Sequence, residues 1–100
     1  VVVMSNAYLI VDTKILDVAR YEEYKNQAKP IIESFGGEYL ARGGELYSDQ
    51  CDLWTPTRIV VIKFESMQKA KSFLDSDEYK PIKAIRIEAA KSTTLLVDGV

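Results

Sequence analysis

The chain contains no histidine. That removes serine–histidine and cysteine–histidine nucleophiles, histidine-ligated haem and most zinc sites. Any proton chemistry must use Asp, Glu, Lys, Tyr or the bound molecule itself. There is one cysteine, Cys51, so no intrachain disulfide forms, which fits a reducing compartment. Asp49 and Asp52 beside it offer no positive field to make a thiolate, and Cys51 reads as a small filler. No apolar run approaches the ~18 residues of a membrane span. The opening Val1-Val2-Val3-Met4 is too short and uncharged for a signal peptide. No block of like charge appears, and the net charge is −2, whereas nucleic-acid binders carry a basic face. These absences predict a cytoplasmic protein with no nucleic-acid or membrane partner, no metal and no cofactor.

What is present is an ordinary globular composition, 47 % hydrophobic and 28 % charged over 100 residues. That is the size of one domain, so residues 1–100 read as a single unit with 1–6 as a flexible or vector-derived N-terminus. Met4 is its candidate natural start. Ala7 to Thr13 is β-rich and apolar on both faces, as a central strand is. Asp17 offers an N-cap, after which Tyr21, Tyr24, Ala28, Ile31, Ile32 and Phe35 form the stripe of an amphipathic helix. Gly36 suits its left-handed C′ end, and Pro30 predicts a kink or a break into two helices.

Glu38 to Arg42 reads as a short strand, with Gly43-Gly44 allowing a bend or bulge and "ELYSD" continuing it irregularly. Asp49 to Thr57 is loop. Arg58 to Phe64, "RIVVIKF", is the strongest strand, with Val60, Ile62 and Phe64 on one face. Ser66 caps a helix that turns Met67, Ala70, Phe73 and Leu74 inward. Ser76 opens another, carrying Tyr79, Ile82, Ile85 or Arg86, and Ala89, with Pro81 tolerable near its start. Thr93 to Val97 is the last strand.

The order is strand, helix, strand, strand, helix, strand. It predicts a ferredoxin-like α+β sandwich, βαββαβ, with an antiparallel sheet and helices on one face. The other face is then open, yet the two strongest strands are apolar on both sides. A patch of that kind is rare on a monomer, so a homodimer packed through its open sheet faces is expected, a dimeric α+β barrel.

"YEEY", "FGGEYLARGGE", "W-x-P-x-RIVVIKF", "A-x-x-F-x-x-S-x-EY" and Arg86, in this order from about Tyr8 to Val100, resemble the domain-of-unknown-function family numbered thirteen-thirty. The resemblance implies the dimeric α+β barrel superfamily, whose members include cofactor-independent monooxygenases, muconolactone-type isomerases and haem-binding enzymes. It supplies a fold and no reaction.

The candidate site residues are Arg42, Arg58, Trp54, Tyr47, Tyr24, Tyr79 and Arg86. Arg42 ends one strand and Arg58 begins the strand it should pair with. Like charges side by side in a sheet are unfavourable unless an anion or an acidic side chain sits between them. Two guanidinium forks suit a carboxylate or phosphate. Alternatively Glu38, Glu45, Asp49 or Asp52 neutralises them. Trp54 in its loop is either an anchor against the core or a partner copy, or with Tyr47 a wall of a pocket. Tyr24 and Tyr79 lie on core-facing stripes, either as core or as hydroxyl donors that need a partner. Arg86 is either a surface salt bridge to Glu88, Asp77 or Glu78, or a third positive group for the pocket. The glycine pairs have neither dinucleotide nor P-loop spacing and read as geometric. Three functions stay open: a small-molecule enzyme without a cofactor acting on an organic acid, aromatic or carbonyl compound; a non-catalytic binding module; and a structural homodimer.

Overall fold

The computed structural model describes residues 5–100, so the reading of Val1–Met4 as an extension lies outside them. Strand β1 (Ala7–Ile15) is central. Its alternation sends Ala7, Leu9, Val11 and Thr13 into full burial and Tyr8 and Ile10 to the opposite face, the period-two consequence of the pleat. Helix α1 (Val18–Ser34) follows, capped by the Asp17 carboxylate accepting from Arg20 N. Strands β2 (Glu38–Arg42) and β3 (Ile59–Phe64), helices α2 (Met67–Leu74) and α3 (Lys80–Ala89) and strand β4 (Ala90–Asp98) complete the order. The sheet is antiparallel throughout, with strand order β2-β3-β1-β4. This is the ferredoxin-like α+β arrangement that the pattern predicts.

The core lies between the sheet and the helical layer. Leu9, Val11, Val60, Ile62 and Phe64 from the sheet meet Ala28 and Ile32 of α1, Ala70 and Phe73 of α2, and Tyr79 and Ile82. Phe73 sits at its middle. Its ring centroid is 4.4 Å from Tyr79, 5.6 Å from Phe64 and 5.8 Å from Phe35. Ser66 caps α2 by accepting from Lys69 N, and the Ser76 hydroxyl accepts from Tyr79 N to start the turn into α3.

Several local expectations change. Of the two outcomes expected at Pro30, the break into two helices does not occur: α1 is one helix from Val18 to Ser34. The proline falls in the last turns on the exposed side, where its missing donor costs one hydrogen bond and no packing. "ELYSD" forms no strand; residues 43–58 are loop, because Gly43 turns the chain off the sheet at φ +73°, a conformation that glycine adopts freely. The first and last strands, β1 and β4, are longer than expected. α3 passes into β4 with no loop between them, and Leu16 N and Asp17 N both donate to Ala89 O. On α3, Arg86 rather than Ile85 occupies the buried stripe.

The long loop is fastened to the sheet through Asp12. Its carboxylate accepts from Trp54 Nε1 at 2.9 Å, Thr57 N at 2.8 Å and Arg58 N at 3.0 Å. Desolvation pushes this carboxyl up, but those three bonds and the backbone of Thr13 outweigh it and hold it below the ordinary carboxylate range. A lowered folded-state value means that the contribution is complete above the unfolded value of about 3.9 and is lost as pH falls through the lower, folded one. Trp54 fluorescence should therefore report loop release in acid, beginning below about pH 4. In Asp12→Asn the acid step should vanish. An unchanged acid step in that variant would remove Asp12 as its source.

Candidate functional site

A β-bulge builds the site. In a regular strand Tyr39 and Arg42, three residues apart, would face opposite sides. The register shifts between Tyr39 and Ala41, so that Tyr39 pairs with Ile62 and Arg42 with Val60. Val60 and Ile62 are both buried beneath the helices, so Tyr39 and Arg42 share that side. The Arg42 guanidinium lies 4.6 Å from the Tyr39 ring centroid, a cation–π distance. The bulge sits at Leu40, not at Gly43-Gly44 as the glycines suggested.

Arg58 precedes β3 and reaches the same cavity. Its guanidinium passes over Gly43. A Cβ at residue 43 would fall 2.7 Å from Arg58 Nε and 2.9 Å from Cζ. Gly43 thus serves twice, turning the chain and leaving room for the arginine.

The cavity opens between β1–β3 and α1. Its walls are Leu9, Val11, Val60 and Ile62 on the sheet side and Tyr21, Tyr24, Ile32, Phe73 and Tyr79 on the helix side; Tyr39, Lys25, Arg42 and Arg58 complete the lining. It holds about 30 Å³, room for one or two waters. The Arg42 and Arg58 side chains are held lightly. Arg42 Nη2 is 3.5 Å from Lys25 O, and Arg58 Nη1 is 3.3 Å from the Tyr21 hydroxyl, both long for hydrogen bonds. Among the described residues, neither guanidinium has a carboxylate within ion-pair distance. Glu38, one of the expected neutralisers, instead meets Lys63 at 3.6 Å.

The Tyr24 and Tyr79 hydroxyls, on residues that line the same cavity, are 2.8 Å apart. Desolvation first, then Tyr79, pushes the Tyr24 hydroxyl far above its ordinary value, and desolvation raises Tyr79 as well. Both therefore stay protonated and able to donate.

Arg42, Arg58, Tyr24 and Tyr79 thus come together at one cavity. Tyr47 is almost fully exposed at 92 %, and Trp54, at 45 %, turns its indole to Asp12; neither lines the cavity. Arg86 is buried, donating from Nη1 to the Thr94 hydroxyl at 3.0 Å, and makes none of the surface ion pairs weighed for it. The sequence reading missed Tyr21, Lys25 and Tyr39. Tyr21 lies three residues before Tyr24 and four before Lys25, helical spacings that were available as a signal; Tyr39 depends on the bulge and was not.

The family model of the domain of unknown function DUF1330 matches residues 6–100. No curated protein matches the sequence. Among solved structures, a protein of unknown function from Rhodopseudomonas palustris superposes with a TM-score of 0.75 at 14 % identity, covering 98 % of this chain and 85 % of that one. SnoaB, a cofactor-independent oxygenase from Streptomyces nogalater, gives 0.68 at 10 % identity, covering 96 % and 94 %. A hypothetical protein from Arabidopsis thaliana gives 0.65 at 10 % identity, covering 98 % and 90 %. At these identities the likeness is one of fold.

Proposed function

Because the chain belongs to the DUF1330 family, whose description names no reaction, we propose from its own side chains that it binds a small organic anion between sheet and helices. The observation that carries this reading is the pair of guanidinium groups that, among the described residues, have no carboxylate partners at an apolar and aromatic cavity. Arg42 and Arg58 take a carboxylate at the mouth. Leu9, Val11, Val60 and Ile62 hold the apolar body, and Tyr24 and Tyr79 meet its far end. Entry displaces the two arginine side chains, which their long hydrogen bonds permit, and the cavity widens around the ligand. The pocket's only titratable groups are tyrosines and cations. Catalysis here would run on tyrosine donors and fixed positive charge; the fold is also that of SnoaB, a cofactor-independent oxygenase. Turnover of a bound compound separates this from a binding module.

We also infer that a second copy covers the open sheet face. Ala41, Val61, Ile10 and Leu95 stand opposite one another in a row across all four strands, with Tyr8, Ile59 and Val97 beside them. That continuous apolar row supports an isologous dimer.

The binding reading is tested by a thermal-shift screen against small carboxylates, phosphates and aromatic acids. A ligand at a hundredfold its Kd adds about 2.7 kcal/mol, on the order of 10–20 °C in a domain this small. The stabilisation should be lost in Arg42→Ala and in Arg58→Ala and reduced in Gly43→Ala, whose new Cβ displaces the Arg58 guanidinium. A flat screen, with arginine variants that are merely less stable, would favour the structural homodimer.

A further inference from the structure

The inner end of the cavity has a proton to spare and a charge to satisfy. Tyr24 and Tyr79 carry two hydroxyl protons, and the bond between them uses one. The other has no acceptor among the described hydrogen bonds, and both residues line the cavity. Arg86 is near enough for its charge to bear on both hydroxyls. Tyr79, Ile82, Arg86 and Ala89 fall on one buried stripe at three- and four-residue steps. Helical side chains lean towards the N-terminus, which sends Arg86 back towards Tyr79.

Arg86 is only 5 % exposed. Its Nη1 donates to Thr94; among the described residues its Nε has no partner, and the fully buried Thr13 hydroxyl on the neighbouring strand has none either. Among the described residues, no carboxylate forms an ion pair with it. A buried charge left uncompensated is costly.

We propose that the Tyr24–Tyr79 pair, backed by Arg86, is a receptor for an oxyanion, so that the inner end of the ligand is an ionised phenol or enol oxygen. The proposal rests on the binding reading above and narrows it. With a carboxylate held at the mouth, the ligand class becomes a hydroxyaryl or enolic carboxylate. A neutral carbonyl would accept the tyrosine proton equally well but would gain little from the guanidinium charge. A fixed positive charge in a desolvated site favours the ionised form. The two tyrosines do not take the negative charge themselves. Burial pushes both hydroxyls up, and Arg86 only partly opposes this.

The test uses para-nitrophenol, whose anion is yellow and whose neutral form is not, and para-nitroanisole, its analogue that cannot ionise. Near the pH at which free para-nitrophenol is half ionised, the bound probe should be almost wholly anion. The anion should bind at least about tenfold more tightly than the neutral form, a shift of one pKa unit. Arg86→Gln should reduce that preference to near unity while leaving para-nitroanisole affinity in place, and Arg86→Lys should restore part of it. Tyr79→Phe supplies a second, milder variant if Arg86→Gln does not fold, and should weaken the anion more than the anisole. A bound probe that stays colourless, or an anion preference that survives both Arg86→Gln and Tyr79→Phe, overturns the proposal. Failure of the wild-type protein to bind either probe overturns the oxyanion proposal alone, since neither probe carries the carboxylate that Arg42 and Arg58 would hold; the binding reading falls only with a flat carboxylate screen.

Discussion

Val61→Glu should convert a dimer into a folded monomer. Val61 pairs with Ile10 on one side and Ala41 on the other, in the middle of the open sheet face. Its side chain points away from the helical core that its neighbours Val60 and Ile62 enter. A glutamate there meets water in the monomer and leaves the core intact. In a two-fold dimer the same position is buried in both copies. An unpaired carboxylate buried at an interface costs on the order of 3–5 kcal/mol, which is roughly a hundredfold or more in Kd. Sedimentation should show the wild type at twice the chain mass and Val61→Glu at one chain mass, with matching far-ultraviolet circular dichroism. A monomeric wild type, or a Val61→Glu protein that remains dimeric, would refute the face-to-face assembly.

Phe73→Ala should be the most destabilising single truncation of the helical layer. The ring is fully buried and touches Phe35, Phe64 and Tyr79. It lies where α2, α3 and the sheet meet, so no single element can move in to close the space it leaves. A buried Phe→Ala change costs about 3–5 kcal/mol, against a total stability of about 5–15 kcal/mol for a domain. Urea unfolding should show the midpoint falling sharply. Tyr47→Ala, in the exposed loop, should stay within about 0.5 kcal/mol of wild type. Phe73 also lines the cavity, so Phe73→Ala should weaken any ligand found in the thermal screen by loosening Tyr79. A loss below about 1 kcal/mol would mean that the core repacks around the missing ring, contrary to its close-packed geometry.

Much of the fold is local in origin. The period-two alternation of Ile59 to Phe64, the helical stripe from Tyr21 to Ile32 and the caps at Asp17 and Ser66 each act within a few residues, and each appears where its pattern places it. The site is less local. Arg42 and Arg58 could be nominated because each stands at a strand end, but their shared side of the sheet depends on the extra residue at Leu40. Nothing in "EYLAR" distinguishes that bulge from a regular strand. Trp54 looked like a pocket wall because loops that carry a large indole must cover it. The cover comes from Asp12, 42 residues away in sequence, and it lies outside the cavity.

Arg86 shows the same division. By sequence it shared the stripe of α3 with Ile85, and a charged side chain is the usual one to turn outward. The packing of α3 in the layered fold placed Arg86 inside, beside Thr94, with Tyr79 earlier on the same stripe. The amino-acid order by itself determined the elements, the sandwich they form and the exclusion of histidine and disulfide chemistry, because propensity, periodicity and composition act over short distances or over none. Only the tertiary structure decided which cations face the cavity and which hydroxyls meet. Those depend on a one-residue register shift and on helix packing, and side chains far apart in sequence set both.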